Sequence, residues 1–355
     1  MVRLFERHIK RKVFTLDGMW KFITDPDRKG FKEHWFKNFP ESSVDIVVPS
    51  CWNNELGLYE YEGLAWYATK FRCSSENINL VFHAVTGQAE VYLDGIYLGG
   101  HYGGFTGFNF TVTGLAPGEH TLVVAVDNTH DNMNTIPLSR VDWFHYGGIY
   151  RSVEVMELGD VWIKDHRIDY RLDDKLENAF LSVGITVEAF APGKEVRMLK
   201  LYVYDTEVYR SEIEVRDCTE LMIDNIELKN VKLWDVGKPN LYSIRLEIGD
   251  DDVIERLGFR QIKAENGKIY LNGRELYLKG VNRHEEHPDW GFAVPLKLMK
   301  KDIDIIKNLG CNAIRGSHYP NSELFLDYLD QEGILFWEEI PMWGFPEEPL
   351  KNPLI

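Results

Sequence analysis

From about residue 269 to Trp337, apolar strands alternate with helical periods, and no other feature of the sequence restricts the fold as strongly. Ile269-Tyr270-Leu271 and Leu276-Tyr277-Leu278 flank Asn272-Gly273 as a hairpin that leads into Gly280-Val281-Asn282. Met299, Ile303 and Ile306, supported by Ile305 and Leu309, then recur at helical spacing and stop at Gly310. Cys311 to Arg315 reads as the next strand. A second helix, capped by Asn321 or Ser322, buries Leu324, Phe325, Tyr328 and Leu329 and stops at Gly333. Ile334-Leu335-Phe336-Trp337 is a third, continuously apolar strand. This β-α-β-α-β order predicts a parallel sheet covered by helices. A closed (β/α)₈ barrel needs about 250 residues, and only roughly 90 follow position 264. Residues 264–355 are therefore expected to be the first part of such a barrel. Its third unit should stay open, because Pro346 to Ile355 carries three prolines and no helical period. An open unit has an unpaired edge and uncovered apolar faces. The segment is expected to be mobile, to self-associate or to pack on the upstream domains.

Upstream the rhythm is one of short strands and turns. Leu16 to Phe22 opens the region, and Glu90 to Leu98 is a hairpin around Asp94-Gly95, a pair that tolerates positive φ. No long helical period intervenes, so residues 1–160 are expected to form a β-sandwich. Leu181 to Val187, Leu201 to Tyr204, Leu233-Trp234 and Pro239 to Tyr242 continue in a second rhythm. About 100 residues of this kind fit an immunoglobulin-like sandwich over 161–263, although the paired cysteines of antibody domains are missing.

A length of 355 residues allows two or three such domains. The net charge of −16 argues against nucleic acid or anionic membranes as partners. Cys51, Cys73, Cys218 and Cys311 form no CxxC pair, which suggests reduced thiols and a cytoplasmic protein. Met1 to Lys12 has no apolar signal region, and no run reaches the length of a membrane span. The 10 Trp, 17 Tyr and 19 Phe suit either sandwich cores or rings that cover the C–H faces of sugars.

Three loops follow the three barrel-type strands: Asn282 to Pro288, Gly316 to Pro320, and Glu338 to Pro341. Strand C-termini converge at one end of such a sheet, so these polar groups should share a face. His284-Glu285-Glu286-His287 invites a zinc reading, but its histidines are three apart and Pro288 follows, where a helical zinc motif needs four. Glu338 and Glu339 are adjacent on a strand and point to opposite faces, so they cannot flank one bond as acid and nucleophile. One of them should face the site as a counter-ion, for example to Arg315. A third candidate is Arg140 to Arg151, where Asp142-Trp143 precedes Gly147-Gly148. It reads either as a sugar-binding Asp beside an aromatic ring or as a glycine-rich turn with a capping Asp.

At these segments the chain resembles glycoside hydrolase family 2, which includes β-galactosidases, β-glucuronidases and β-mannosidases. Asn312 to Gly333 is similar to the family signature built around Asn-x-x-Arg-x-Ser-His-Tyr-Pro. Gly280 to Glu285 is similar to the segment that opens the family's barrel, and Val48 to Asn53 to one in its first domain. The resemblance implies a jelly-roll sugar-binding domain, an immunoglobulin-like sandwich and a TIM barrel, in that order. It implies that His318, His284 and Asp142 line a monosaccharide subsite, with Arg315, Tyr319 and Glu339 as further substrate-binding candidates. It implies a retaining, exo-acting enzyme on terminal β-linked sugars, β-galactosides ahead of β-glucuronides. No Asn-Glu pair occurs after residue 264, so the acid/base and nucleophile Glu are expected beyond Ile355 and this chain alone is expected to be inactive. The rival expectation is a non-catalytic carbohydrate-binding or interaction module. No cofactor or metal is called for. A magnesium or sodium ion has no support here, because the third loop lacks the histidine that helps hold magnesium in one β-galactosidase branch. A homo-oligomer is possible on this reading.

Overall fold

A computed structural model describes residues 2–191 and 193–352. Pro353 to Ile355, the end of the proline-bearing tail, lie outside the described residues. Two antiparallel sheets face each other in the first part of the chain. The larger runs in the order Val44–Val48, Gly18–Thr24, Leu64–Cys73, Gly118–Asp127, Gln88–Leu93, Ile96–Tyr102. The smaller runs Lys12–Thr15, Val153–Leu158, Asn77–Phe82, Phe108–Val112. Trp20, Phe22, Trp52, Tyr67, Phe82 and Val124 fill the space between them. Most of the tryptophan surplus is thus core. The expected Asp94-Gly95 hairpin is present: Leu93 pairs with Ile96, and both turn residues take positive φ, as a two-residue hairpin of this hand requires.

The second sandwich packs Val161–Leu172, Ala179–Ala189 and Cys218–Leu228 against Thr206–Val215, Glu195–Val203, Tyr242–Ile248 and Asp251–Leu257. Strand Ala179–Ala189 shows why: Leu181, Val183, Ile185 and Val187 alternate with half-buried residues, the period of two that a strand with one core face demands. Leu233-Trp234 is not a strand. Trp234 is buried and donates through Nε1 to the Asp330 carbonyl at 2.8 Å, which ties this sandwich to the segment that follows.

That segment begins with a small antiparallel sheet, Ile262–Glu265, Lys268–Leu271 and Arg274–Leu276, turning through Asn272-Gly273. Tyr277 and Leu278 fall outside the hairpin and are exposed. Then come the parallel strands Gly280–His284, Ala313–Ser317 and Leu335–Trp337. Helix Leu296–Asn308 and helix Glu323–Glu332 connect them. Met299, Ile303 and Ile306 are buried, but Ile305 and Leu309 are exposed. Ile305 sits two positions past Ile303 and so projects from the far side of the helix, and Leu309 is the cap residue. Gly310 closes this helix: its N–H donates to Lys307 O, the Cys311 N–H donates to Ile306 O, and its φ is +76°. Of the two candidate caps, Ser322 starts the second helix, its Oγ accepting from Phe325 N at 3.3 Å. Gly333 ends it at φ +70°. The third strand is less buried than its apolar run suggests, and Trp337 is exposed.

The barrel-type segment packs on both sandwiches. The irregular segment from Val2 to Arg11 crosses the molecule as a strap. Ile9 and Lys10 donate backbone N–H groups to the Asp252 carboxylate, and Arg3 makes a bidentate pair with Asp327 on the second helix, both bonds 2.9 Å. Asp327 is buried and also accepts from Leu4 N.

Candidate functional site

The parallel register pairs His284 with Ser317 and Arg315 with Trp337. All three strands therefore end at the same side, and the loops after them share one face, as the order of elements predicts. His318 follows the second strand across a cis peptide. Its Nδ1 lies 2.9 Å from Glu339 Oε2 and 3.2 Å from Arg315 Nη2. Arg315 Nε donates to Glu339 Oε1 at 2.5 Å. Burial works against the Glu339 charge, but the hydrogen bonds from His318 and Arg315 outweigh it and hold the carboxyl below the usual carboxylate range. An ionised carboxylate only accepts hydrogen bonds, so Nδ1 must carry a hydrogen, and the contact with Arg315 is a packing contact between two donors. In the neutral ring the free lone pair is then on Nε2. The adjacent Glu338 takes another role, accepting from Asn321 N at 3.0 Å, with its carboxyl pushed up by burial. The third strand ends at Trp337, so both glutamates lie in the loop after it and not on a strand, and it is their different partners that separate them.

Asp142 reaches this surface from the first sandwich. Its loop is anchored downstream by Gly147 and Gly148. Gly147 N donates to Asn53 Oδ1 at 2.7 Å, and Gly148 N to Thr86 Oγ1 at 2.7 Å. A Cβ on Gly147 would lie 1.9 Å from the Trp52 ring, so only glycine lets the chain pass there. Asp142 itself is exposed. Beside it the Trp143 ring is buried, 5.8 Å from the His318 ring, 6.2 Å from His284 and 5.4 Å from Tyr319. Trp343 completes the aromatic surround at 5.5 Å from His318.

One donor atom each from Asp142, His284 and His318 lies within 4.8 Å of those of the other two. Among the described residues the His284 Nδ1 is buried without a hydrogen-bond partner, and burial, then the neighbouring His318, lowers its pKa. Burial, then the Asp142 charge, raises that of Glu286. His287 belongs to a separate turn with Gly291, so the two histidines of His284 to His287 do not converge. Tyr319 is placed beneath the surface: it is 1% exposed, stacks on Phe105 at 4.2 Å, and its hydroxyl has no partner.

The residues missed from sequence lie under the site. Arg151 Nη2 donates to Glu285 Oε2 and to the Pro320 carbonyl, both at 2.9 Å, and Ser322 N donates to Glu285 Oε2 at 2.9 Å. This pair joins the sandwich that supplies Asp142 to the loops that supply His284 and His318. Both residues belong to the segments Arg140 to Arg151 and Asn282 to Pro288, but nothing in their spacing pairs positions 134 apart. A surface with a carboxylate, two imidazoles and indole rings presents hydrogen-bond partners and apolar faces together, which is what a polyol ring needs.

Three family descriptions match in succession: the sugar binding domain of glycosyl hydrolases family 2 over residues 13–159, the central family 2 domain over 161–260, and the family's TIM barrel domain over 262–351. The chain belongs to glycoside hydrolase family 2. Its fold is therefore the family's: a jelly-roll sandwich, an immunoglobulin-like sandwich and the start of a (β/α)₈ barrel. Among family 2 proteins it is 32% identical to a β-galactosidase of Thermoanaerobacterium thermosulfurigenes, over 94% of this chain and 49% of that one. It is 27% identical to a β-glucuronidase of Paenibacillus borealis, over 95% of this chain and 60% of that one. A family 2 β-galacturonidase of Eisenbergiella tayi bound to galacturonate superposes with a TM-score of 0.90 at 34% identity, covering 99% of this chain and 62% of that one. The chain spans about half the length of the β-galactosidases of Thermoanaerobacterium thermosulfurigenes and Thermoanaerobacter pseudethanolicus. Among the described residues no helix is long and apolar enough to cross a membrane.

Proposed function

We propose that this chain carries the monosaccharide-binding wall of a retaining glycosidase acting on terminal β-linked sugars, β-galactosides first. The observation that carries this reading is the convergence of Asp142, His284 and His318 over the Trp143 ring, from two separate domains. Asp142 accepts from sugar hydroxyls, His318 accepts through the Nε2 lone pair, His284 donates through its N–H and accepts through its lone pair, and the exposed Trp343 ring beside His318 covers a C–H face. Arg315 and Glu339 orient His318, and Tyr319 backs it. The relatives include β-galactosidases, and the solved neighbour at 34% identity is a β-galacturonidase. Galactose and galacturonate share the axial 4-hydroxyl, so a galacto configuration accounts for both names and ranks above a glucuronide.

Binding and cleavage separate on this chain. Retaining cleavage needs two carboxyl groups about 5–5.5 Å apart across the bond. Glu339 is committed to Arg315 and His318, and Glu338 to Asn321 N. We infer that the 355-residue polypeptide binds the sugar and does not cleave it. The test pairs ligand-observed NMR of methyl β-galactoside, methyl β-galacturonide and methyl β-glucuronide with turnover of the matching nitrophenyl glycosides. Binding that favours the galacto pair, lost in Asp142→Asn and His318→Asn, with no turnover, is expected. Clear turnover overturns the binding-only reading. Absence of binding to all three sugars overturns the sugar site.

A further inference from the structure

We propose that Asp142, His284 and His318 also hold a single late first-row divalent cation, of the Zn²⁺ or Co²⁺ kind, in competition with the sugar. The donor set is one carboxylate and two imidazoles, the ligand types that suit these ions and that recur in three-ligand sites with an open position. One donor atom from each residue lies within 4.8 Å of the others. Ligands at about 2.0–2.1 Å from a tetrahedral zinc stand roughly 3.3 Å apart, so closure asks for movements of about 1.5 Å at most. Asp142 can supply its share of them, being exposed on a loop whose anchors, Gly147 and Gly148, lie several residues away.

The surroundings are those of a prepared imidazole. His318 gives Nδ1–H to Glu339, the carboxylate–histidine arrangement that fixes the ring and leaves Nε2 as the ligand atom. His284 Nδ1 is buried with no hydrogen-bond partner among the described residues, and Glu286 Oε1 lies 4.0 Å from it. The charges facing the group are Asp142, Glu286 and Glu339, against Arg315, which is itself paired with Glu339. Trp143 packs against both imidazoles and limits their rotation. Magnesium and calcium fit poorly, because both prefer six or more oxygens and the trio offers one carboxylate. Since the ion would take the same lone pairs that meet sugar hydroxyls, the two ligands exclude each other. This last point rests on the sugar-binding reading, whereas the metal site does not.

The test is a titration of the 355-residue protein with Co²⁺, followed by visible absorption, and with Zn²⁺ by calorimetry. One leading equivalent is expected, weakened at least tenfold in Asp142→Asn and in His284→Gln. Glu339→Gln keeps every ligand and should weaken the site about 10–100-fold by releasing the His318 ring. His287→Gln should leave it unchanged. Near-ultraviolet circular dichroism of each variant confirms its fold, and exposed Asp142 provides a variant that does not disturb packing. A leading equivalent that survives unchanged in Asp142→Asn/His284→Gln overturns the proposal, as does displacement of Co²⁺ by an equal concentration of Mg²⁺. Competition by methyl β-galactoside is expected. If Co²⁺ binds through these residues while no sugar binds, the metal site stands and the sugar reading falls.

Discussion

Arg151→Met tests whether one buried ion pair holds the sandwich and the barrel-type segment in register. Methionine keeps much of the length and apolar volume of arginine and removes the charge. The loss includes the donations to Glu285 and to the Pro320 carbonyl at 2.9 Å, and to the Phe105 carbonyl at 3.3 Å. What remains is a Glu285 carboxylate that is 1% exposed, with Oε1 unpartnered and Oε2 accepting from Ser322 N. Breaking one side of a buried pair costs about 3–5 kcal/mol. At about 1.4 kcal/mol per factor of ten, the docked state should lose roughly two to three and a half powers of ten in population relative to the undocked one. Hydrogen exchange on peptides covering 280–322 reads this directly, with peptides from the second sandwich as an internal reference. Glu285→Gln in the Arg151→Met background removes the stranded charge while keeping an acceptor for Ser322 N, and should restore at least about 1 kcal/mol. A drop in protection below tenfold, or a double variant as loose as Arg151→Met, would refute the reasoning.

Three further outcomes follow from the same structure. Burial, then the charge of His145, lowers the pKa of His130 to about 3, and burial, then Arg11, lowers that of His8 to about 4. Both are neutral in the fold and charged in the unfolded chain below about pH 6.5. The unfolded state therefore binds more protons there, and Tm should fall as pH drops from about 6.5 toward 4, less steeply in His130→Gln. Gly147→Ala should destabilise by about 1–3 kcal/mol by driving a methyl into Trp52, and weaken sugar binding through the Asp142 loop, measured by urea unfolding and NMR titration. Glu339→Gln frees the His318 tautomer and should weaken methyl β-galactoside binding about tenfold with Tm changed by no more than a few degrees. An unchanged affinity would show that Glu339 does not orient the ring.

Much of this architecture was legible because it rests on local rules. The 3.6-residue recurrence of Met299, Ile303 and Ile306, the stops at Gly310 and Gly333, and the Asp94-Gly95 turn each express a constraint satisfied within a few residues. The shared face of His284, His318 and Glu339 followed from the parallel order alone. Ile305, Leu309 and Trp337 did not, since apolar character alone does not say which side of an element meets a partner. Tyr319, a substrate-binding candidate by resemblance, lies behind the wall, for Phe105 and Phe292, which bury it, come from two other parts of the chain. Arg151 with Glu285 was out of reach for the same reason. Ion pairs across domains depend on docking, and docking leaves no period in the sequence.

The strap from Val2 to Arg11 has a consequence for synthesis. Arg3 is made long before its carboxylate partner, Asp327, which is 324 residues downstream. At about 5–20 residues per second, a ribosome takes roughly 15 to 65 seconds to deliver that partner. Asp252, which accepts from Ile9 and Lys10, emerges earlier. The nascent chain therefore has a built-in order of assembly. Both sandwiches can close and seat the strap on Asp252 while Arg3 waits, and the second helix, on arrival, finds a positively charged socket already in place.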